Sequence, residues 1–354
     1  MARRSGIDFA GIGGEAMGAQ GLTSLFPMRE LALMGLLEVL PRLRLLRRRL
    51  DQTVADIRAH RPDVVVTIDS PGFTLRVLRA IAPLGLRRSH YVAPQVWAWR
   101  ESRVRHYPGL WDRLLCLLPF EPAFFARHGL DACFVGHPVL ESGADTGNAD
   151  RFRATHGIAA DARVLTVMPG SRRTEVARLL PLLRDALRRL PDPVVPVVPL
   201  AAPVLEAVRA GTDSWPIRPI LVTGTQDKHD AFAASAAALT KSGTSTLELA
   251  MGNVPMVVTY RVNPLSAMLA RRLVKVRYAS LLNIIADREV VPELIQGDAT
   301  AERLASVLTG LLRDPALAAA QRAESRAVLG TLAAPSGRPS EAAAEAVLEL
   351  LKRS

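Results

Sequence analysis

The sequence predicts an α/β protein built on two doubly wound parallel sheets. Short apolar, β-branched runs alternate with segments in which leucine and valine recur at helical spacing, as in VLTVMP at 164–169 followed by ARLLPLLRDALRRL at 177–190. Strands that alternate with helices in this way pair in parallel. The alternation occurs on both sides of the small, polar stretch ESGADTGNAD at 141–150, and it therefore indicates two domains joined by a linker.

The predicted organisation has four parts. We expect a first domain at 1–140, the linker at 141–150, a second domain at 151–335 and a last helix at 336–354. Apolar runs predict strands at 7–11, 63–69, 89–94, 113–119 and 132–136 in the first domain, and at 164–169, 194–200, 217–223, 236–240 and 255–260 in the second. Ligands of open parallel sheets bind beyond the carboxyl ends of the strands, so the residues that follow each run are the candidates for a site.

Composition narrows the class of protein and its partners. A chain of 354 residues with 49% hydrophobic and 22% charged residues is typical of folded proteins. The formal net charge of +11 favours phosphate-bearing ligands, nucleic acid or an anionic membrane surface, although no nucleic-acid-binding motif is present. Cys116 and Cys133 form no CxxC pair, which indicates reduced thiols. Without a signal peptide or an apolar run of membrane-spanning length, we expect a cytoplasmic protein, or one peripheral on the cytosolic face of a membrane.

The turn after the run at 164–169 is the first candidate anion site. Ser171 is placed to cap the following helix, and Glu175 falls in its first turn, where a negative side chain suits the helix dipole. The unpaired N–H groups of a helix start bind anions, and the planar guanidinium of Arg172 suits a phosphate. The alternative is a structural turn whose arginines are solvated.

A second helix start of this kind follows the run at 236–240. Ser242, Gly243 and Thr244 are small, so that the backbone can approach a diphosphate closely and the hydroxyls can donate to it. Glu248 lies one helical turn beyond Thr244, where a carboxylate can accept hydrogen bonds from both hydroxyls of a ribose. The alternative for Glu248 is a surface glutamate on a short helix.

Asp69 is the candidate for acid–base chemistry in the first domain. It ends the buried-strand pattern DVVVTID at 63–69, and it therefore lies where ligands of such sheets bind. The alternative is an aspartate that caps the next helix, which is the commoner role. His137, between Gly136 and Pro138, is more typical of a packed hinge residue than of a catalytic one.

A long basic helix is predicted at 41–60. Its leucines are interleaved with arginines, namely Arg42, Arg44, Arg47, Arg48 and Arg49. Such a face is either solvated or lies against anionic lipid, and the pattern does not separate the two.

Motifs for other chemistries are absent. The sequence contains no Walker GxxxxGK[ST], HExxH, GxSxG or Cys/His zinc pattern, and the glycines at 11–14 lack the third glycine of a dinucleotide fingerprint. There is also no Asp-x-Asp pair at a strand end to hold a metal against a diphosphate. We therefore expect no cofactor and no metal, with a diphosphate neutralised by arginine and helix ends.

Nine segments resemble lipid-A-disaccharide synthases, glycosyltransferases with two Rossmann-like domains that face a cleft (the GT-B type). They occur in that family's order: LALMGLLEVLPRL at 31–43, PDVVVTIDSPGF at 62–73, HYVAPQVWAWR at 90–100, LPFE at 118–121, FVGHP at 134–138, MPGSRRTEV at 168–176, SGTSTLELA at 242–250, MVVTYR at 256–261 and LLNIIADREVVPELIQ at 281–296. The VWAWR and LLNIIADREVVPELIQ blocks are specific to the family, whereas SGT and GSR are shared more widely.

The resemblance implies a reaction and its location. The reaction is an inverting transfer of 2,3-diacylglucosamine from its UDP derivative to the 6-hydroxyl of 2,3-diacylglucosamine 1-phosphate, which gives the β-1,6-linked lipid A disaccharide 1-phosphate and UDP. The family acts at the periphery of the inner membrane, on its cytosolic side, which fits the basic helix. The sequence leaves the oligomeric state open, a homodimer included.

The implied inverting transfer needs a base for the acceptor hydroxyl and a site for the departing diphosphate, and the candidate residues above can supply both. Asp69 is expected as the base, Arg172 with the Ser242-Gly243-Thr244 turn as the diphosphate site, and Glu248 as the ribose ligand. Four further residues are expected to line the substrate cleft, namely Asn283, Glu293, Gln296 and His137.

The chain departs from the family pattern near its start. We expect it to begin about one strand–helix unit later than the family does, at what resembles the family's second strand. Gly72 and Thr74 replace a carboxylate and an amide, and Ala93 replaces a serine. Two alternative functions therefore stay open: a catalytically impaired UDP-sugar-binding relative, or another enzyme of this fold such as a UDP-sugar epimerase.

Overall fold

The structure is a computed structural model that describes residues 6–31, 43–261 and 276–352. Within these ranges the chain alternates strands and helices. The strands are β1 (Val64–Ile68), β2 (Arg87–Tyr91), β3 (Arg113–Cys116), β4 (Ala132–Phe134), β5 (Val164–Met168), β6 (Val195–Pro199), β7 (Ile220–Val222), β8 (Ser235–Lys241), β9 (Met256–Tyr260) and β10 (Glu293–Ile295).

The α-helices lie between and after these strands. They are α1 (Glu15–Gly18), α2 (Leu43–His60), α3 (Pro71–Ile81), α4 (Val96–Trp99), α5 (Glu121–Ala126), α6 (Ala149–His156), α7 (Arg173–Leu187), α8 (Leu205–Thr212), α9 (Thr225–Ala234), α10 (Ser245–Met251), α11 (Leu281–Ala286), α12 (Ala301–Arg313), α13 (Pro315–Gly330) and α14 (Pro339–Lys352). Short 3₁₀ turns lie at Met28–Glu30, Ala82–Leu84, Glu101–His106, Pro138–Glu141, Ala202–Val204 and Gln296–Asp298. None of the helices in the described part of the chain combines the length and the apolar character needed to cross a bilayer.

The described residues form two compact units. The first takes those up to Trp97, Glu101–Gly136 and those from Ala334 onward. The second takes Ala98–Arg100 and the described residues of His137–Ala333. Each unit contains one sheet, and in both sheets all the strands run parallel. The predicted pair of parallel-sheet α/β domains is thereby confirmed.

The first unit is built on a sheet with the strand order β1-β2-β3-β4. Leu75 and Leu78 of α3 pack into the core on one face of this sheet. The last helix, α14, packs against the sheet with Ala346 and Val347, and Glu349 accepts a hydrogen bond from Arg113 of β3 at 3.0 Å. The end of the chain therefore completes the first unit.

The start of the first unit differs from the prediction. Residues 7–11 do not form a strand, and only Gly11 makes a bridge, to Ser24. The Ser24 hydroxyl accepts the N–H of Gly13 and donates to the carbonyl of Phe26, so a side-chain-braced loop replaces the strand. Of the segment LALMGLLEVLPRL at 31–43, only Leu31 and Leu43 are among the described residues, and Arg42 of the predicted basic helix lies outside them.

The second unit has the strand order β10-β9-β8-β5-β6-β7. Leu179 and Leu183 of α7 pack on Leu165 and Val167 of β5 in its main core. The order reverses at β5, because β6 and β7 follow on one side while β8 to β10 lie on the other. The boundary between β5 and β8 is therefore the switch point at which open parallel sheets bind ligands.

Candidate functional site

The switch point brings the two predicted anion-binding loops together. β5 and β8 are hydrogen-bonded neighbours, and Met168 lies opposite Thr240 in their register. The loop after β5 contains residues 169–172, and the loop after β8 contains residues 242–244. Both loops therefore leave the same, carboxyl edge of the sheet, side by side.

The helix after β5 begins later than predicted. Arg172, and not Ser171, is the N-cap of α7, since its backbone is extended and its carbonyl accepts the N–H groups of Glu175 and Val176. Ser171 is exposed, and Gly170 before it has a φ of +113°. The prediction that Ser171 caps the helix is wrong, because the turn keeps the chain out of helical conformation through Arg172.

Glu175 lies buried between two cations. It falls in the first turn of α7, as predicted, and its side chain is 9% exposed. Its Oε1 lies 3.3 Å from Nη1 of Arg172 and 3.3 Å from Nζ of Lys241. The Arg172 side chain is 53% exposed, so the guanidinium predicted to bind phosphate is accessible at the surface of the loop.

Bonds to neighbouring segments fix the loop after β8. The N–H of Ser242 donates to the carbonyl of Thr259 at 3.2 Å, and its hydroxyl donates to the carbonyl of Ala279 at 2.6 Å. Gly243 has a φ of +149°, which a side chain would strain. Thr244 is exposed at the N-cap position of α10. The hydroxyl of Ser242 thus holds the loop in place, while Thr244 faces outward.

Glu248 lies on α10 one turn after Thr244, as expected. It is half-buried, and its Oε1 accepts a hydrogen bond from Nζ of Lys228 on α9 at 2.8 Å. An ionised carboxylate accepts several hydrogen bonds, so this ion pair leaves Glu248 capacity for ligand hydroxyls.

Asn283 is fully buried, and its side chain bonds to the protein. Its Oδ1 accepts the N–H groups of Val290 and Val291 at 2.7 and 2.9 Å. Its Nδ2 donates to the carbonyl of Val291 at 2.8 Å and to Glu293 at 2.7 Å. Asn283 therefore shapes the loop after α11 through its own hydrogen bonds, and its place in a substrate cleft stays a prediction.

Glu293 supports the loop after β8 indirectly, through the segment at 279–280. Its carboxylate accepts the N–H groups of Ala279 and Ser280, both at 2.8 Å, and Ser242 donates to Ala279. Glu293 therefore fixes a segment that in turn fixes Ser242. Gln296 follows β10 at the same edge of the sheet, with a φ of +54° and a half-buried side chain.

Two residues at this edge were not predicted from the sequence. Lys241 and Tyr260 are the last residues of β8 and β9, and Nζ of Lys241 lies 5.9 Å from the centre of the Tyr260 ring. Burial and the nearby Glu175 carboxylate raise the pKa of Tyr260, while Arg172 and Arg178 oppose this rise. The sequence could have pointed to Lys241 and Tyr260 only by their position, because each residue ends a strand at the carboxyl edge.

Asp69 follows β1 directly in the first unit. It is exposed and has a φ of +46°, as does Ser70 after it, although neither residue is glycine. The Thr74 hydroxyl donates to the carbonyl of Asp69 at 2.7 Å and fixes this turn. Ser70, and not Asp69, is the N-cap of α3. The capping alternative for Asp69 is therefore not realised, and its left-handed backbone is one that aspartate adopts more readily than most residues.

His137 is buried at the start of a 3₁₀ turn. Its Nδ1 accepts the N–H of Val139 at 3.1 Å, and its own N–H donates to the carbonyl of Leu332 at 3.0 Å. Burial lowers the pKa of His137 to about 4, so the ring is neutral at physiological pH. These contacts are those of a packed hinge residue.

Replacing His137 by asparagine is expected to make the protein less sensitive to acid. In the unfolded chain histidine binds a proton below pH 6.5, whereas the folded chain binds it only near pH 4. The contribution of His137 to stability is therefore full above pH 6.5 and is lost between pH 6.5 and 4. Asparagine does not titrate and keeps an acceptor for Val139.

The measurement is urea unfolding of both proteins at pH 7 and pH 4.5. The wild type should lose about 1–3 kcal/mol more stability than His137→Asn between these pH values. Equal losses in the two proteins would contradict the neutral, buried state of His137.

The chain matches known proteins over almost its whole length. Residues 1–347 match the family model described as Lipid-A-disaccharide synthetase. A lipid-A-disaccharide synthase of Granulibacter bethesdensis is 56% identical over 359 residues, covering 98% of this chain and 91% of that protein. One from Gluconobacter oxydans is 58% identical over 349 residues, covering 97% of this chain and 83% of that protein.

Solved structures share the fold at low sequence identity. The UDP co-structure of MnaA from S. aureus has a TM-score of 0.59 at 16% identity, and covers 96% of this chain and 86% of that one. The calicheamicin glycosyltransferase CalG4 has a TM-score of 0.54 at 15% identity, and covers 96% and 88%. These likenesses establish the two-domain GT-B fold, whereas the sequence matches establish the family. The chain belongs to the lipid-A-disaccharide synthase family of glycosyltransferases.

Proposed function

We propose that this chain transfers 2,3-diacylglucosamine from its UDP derivative to the 6-hydroxyl of 2,3-diacylglucosamine 1-phosphate. The products are lipid A disaccharide 1-phosphate and UDP. Family membership over residues 1–347 supports this reaction. The observation that carries the proposal is the meeting of Arg172 and the Ser242–Thr244 loop at the switch point of the second sheet, the position at which such sheets bind phosphates.

On the donor side, the second unit binds UDP. The exposed guanidinium of Arg172 pairs with the diphosphate, and backbone N–H groups of the loop at 242–244 donate to it. Glu248 accepts hydrogen bonds from the ribose hydroxyls. These groups stabilise the negative charge that develops on the departing UDP, so they lower the barrier as well as bind the donor.

On the acceptor side, Asp69 is the general base. Its carboxylate takes the proton of the acceptor 6-hydroxyl while the hydroxyl oxygen bonds to C1 of the donor sugar. The bond from C1 to the UDP oxygen breaks, and its electron pair leaves with UDP. The exposed carboxylate directly after β1 supports this role, because it lies at the carboxyl end of a strand, where ligands of parallel sheets bind.

Other predicted residues take supporting roles. Asn283 and Glu293 hold the segments behind the loop at 242–244, and His137 packs a turn of the second unit. Gln296, half-buried at the carboxyl edge, remains a candidate contact to the donor.

We place the chain at the inner membrane as a peripheral protein, on its cytosolic side. Arg44, Arg47 and Arg48 are exposed on α2, and this cationic face suits anionic lipid headgroups. Arg49 is different, since it pairs with Glu30 at 2.7 Å. Sedimentation with anionic vesicles, but not with neutral ones, tests this placement.

The test of the reaction uses the purified chain with both substrates. We expect UDP and disaccharide in equal amounts, no UDP when the acceptor is omitted, and an unchanged rate in EDTA. UDP binding without disaccharide would favour the impaired, UDP-sugar-binding alternative. Epimerisation of a UDP-sugar without an acceptor would favour the epimerase.

A further inference from the structure

Lys241 links the two anion-binding loops, although neither the sequence patterns nor the proposed reaction uses it. It is the last residue of β8, and its side chain is 20% exposed. Nζ of Lys241 would lie 3.5 Å from a Cβ atom placed on Gly243, and its Cδ would lie 3.3 Å from one placed on Gly170. The lysine chain therefore runs from the loop after β5 to the loop after β8, with its ammonium beside Gly243.

Glu175 holds this ammonium and the Arg172 guanidinium with a single oxygen. Both cations contact Oε1, at 3.3 Å each. Within the described part of the chain, Oε2 is buried and has no hydrogen-bond partner. Glu175 as a whole residue is only 7% exposed. Burying a carboxylate with one oxygen unbonded lowers the stability of the fold. The fold therefore retains a carboxylate whose burial costs stability, at a position where it contacts two cations.

We propose that Lys241 is a second phosphate-binding cation of the nucleotide site, and that Glu175 is the positioning residue that sets Lys241 and Arg172 side by side. The inference rests on the proposed function, since it assumes that a UDP diphosphate binds at this edge. An ammonium has three N–H donors, so Lys241 can keep its ion pair with Glu175 and still donate to a phosphate oxygen. Two adjacent cations would repel each other without a carboxylate between them.

The first test measures the affinity for UDP and for uridine by calorimetry. Lys241→Met keeps the length of the side chain and removes its charge. We expect it to weaken UDP binding about 10- to 100-fold and to leave uridine binding unchanged, because uridine has no phosphate. Lys241→Arg should restore most of the loss. The matched control is Arg209→Met on α8, which removes one exposed charge of the same unit and should change neither affinity.

The second test uses Glu175→Gln. A positioning role and a purely electrostatic role of Glu175 predict opposite changes in UDP affinity for this variant. Removing a negative charge beside an anion site should tighten UDP binding if Glu175 acts only through its charge. If Glu175 positions the two cations, UDP binding should weaken about 3- to 10-fold although the site has become more positive. The loss in the double variant with Lys241→Met should be smaller than the product of the two single losses.

These tests distinguish a failure of the proposal on Lys241 and Glu175 from a failure of the proposed function. If the wild type binds no UDP, the proposed function fails. If Arg172→Ala weakens UDP binding while Lys241→Met does not, only the inference on Lys241 is overturned. Tighter UDP binding by Glu175→Gln overturns the positioning role of Glu175. Thermal unfolding of each variant identifies any loss of affinity that comes from loss of the fold, and in that case the result for Lys241→Arg decides.

Discussion

Replacing Asp69 by asparagine is expected to lower the turnover number by about 10²–10⁴-fold, the usual contribution of a general base. Asparagine has almost the same shape and also tolerates the left-handed backbone at this position, where φ is +46°. It cannot take the proton of the acceptor hydroxyl at neutral pH. Since UDP is assigned to the second unit, UDP affinity should stay within about twofold of the wild type.

The matched control is Asp63→Asn, at the other end of the same strand. Asp63 is exposed just before β1, where sheets of this kind bind no ligand. The same substitution there should leave turnover unchanged. Normal turnover in Asp69→Asn would remove Asp69 from the mechanism, and a joint loss of turnover and UDP binding would indicate a structural effect instead.

Replacing Arg172 by alanine is expected to weaken UDP binding about 10- to 100-fold and to lower turnover as well. The guanidinium supplies charge-assisted hydrogen bonds to the diphosphate, and these strengthen as UDP departs. Calorimetry gives the affinity, and UDP release under saturating donor gives the rate. Arg172→Lys should retain part of the affinity, because it keeps the charge but loses the planar fork.

Arg173→Ala provides the control for this second prediction. Arg173 is the first residue of α7, is exposed and carries the same charge one position further along the chain. We expect it to change UDP affinity less than threefold, through long-range charge alone, with the effect lost in high salt. If Arg172→Ala and Arg173→Ala behave alike, Arg172 acts only as part of a basic surface.

The sheets could be predicted from the sequence because most of their strands are short, β-branched apolar runs. VVVTI at 64–68 and VLTVM at 164–168 each contain one threonine as their polar residue, and they form β1 and β5. β5 is buried almost throughout, whereas Val66 and Ile68 of β1 are exposed. The start of the chain could not be predicted in the same way. Residues 7–11 contain the apolar side chains of Ile7, Phe9 and Ala10, but Phe9 is exposed, and a loop braced by the Ser24 hydroxyl takes the place of the strand.

Each loop of the candidate site could be identified from the sequence, but the proximity of the two loops could not. Sequence identifies Arg172 and Ser242–Thr244 separately, since each follows an apolar run. Their proximity depends on the strand order, which places β8 beside β5, and this order follows from packing and not from local pattern. The partners of Glu175 and Asn283 could not be predicted for the same reason, because Lys241 and Val291 reach them only in the folded unit.

The most direct test of the account is a structure of the chain with UDP bound. We predict that the diphosphate lies at the carboxyl edge between β5 and β8, with its oxygens within about 3.2 Å of the Arg172 guanidinium and of N–H groups in the loop at 242–244. UDP bound elsewhere on the chain, with Arg172 and Gly243 remote from the diphosphate, would contradict it.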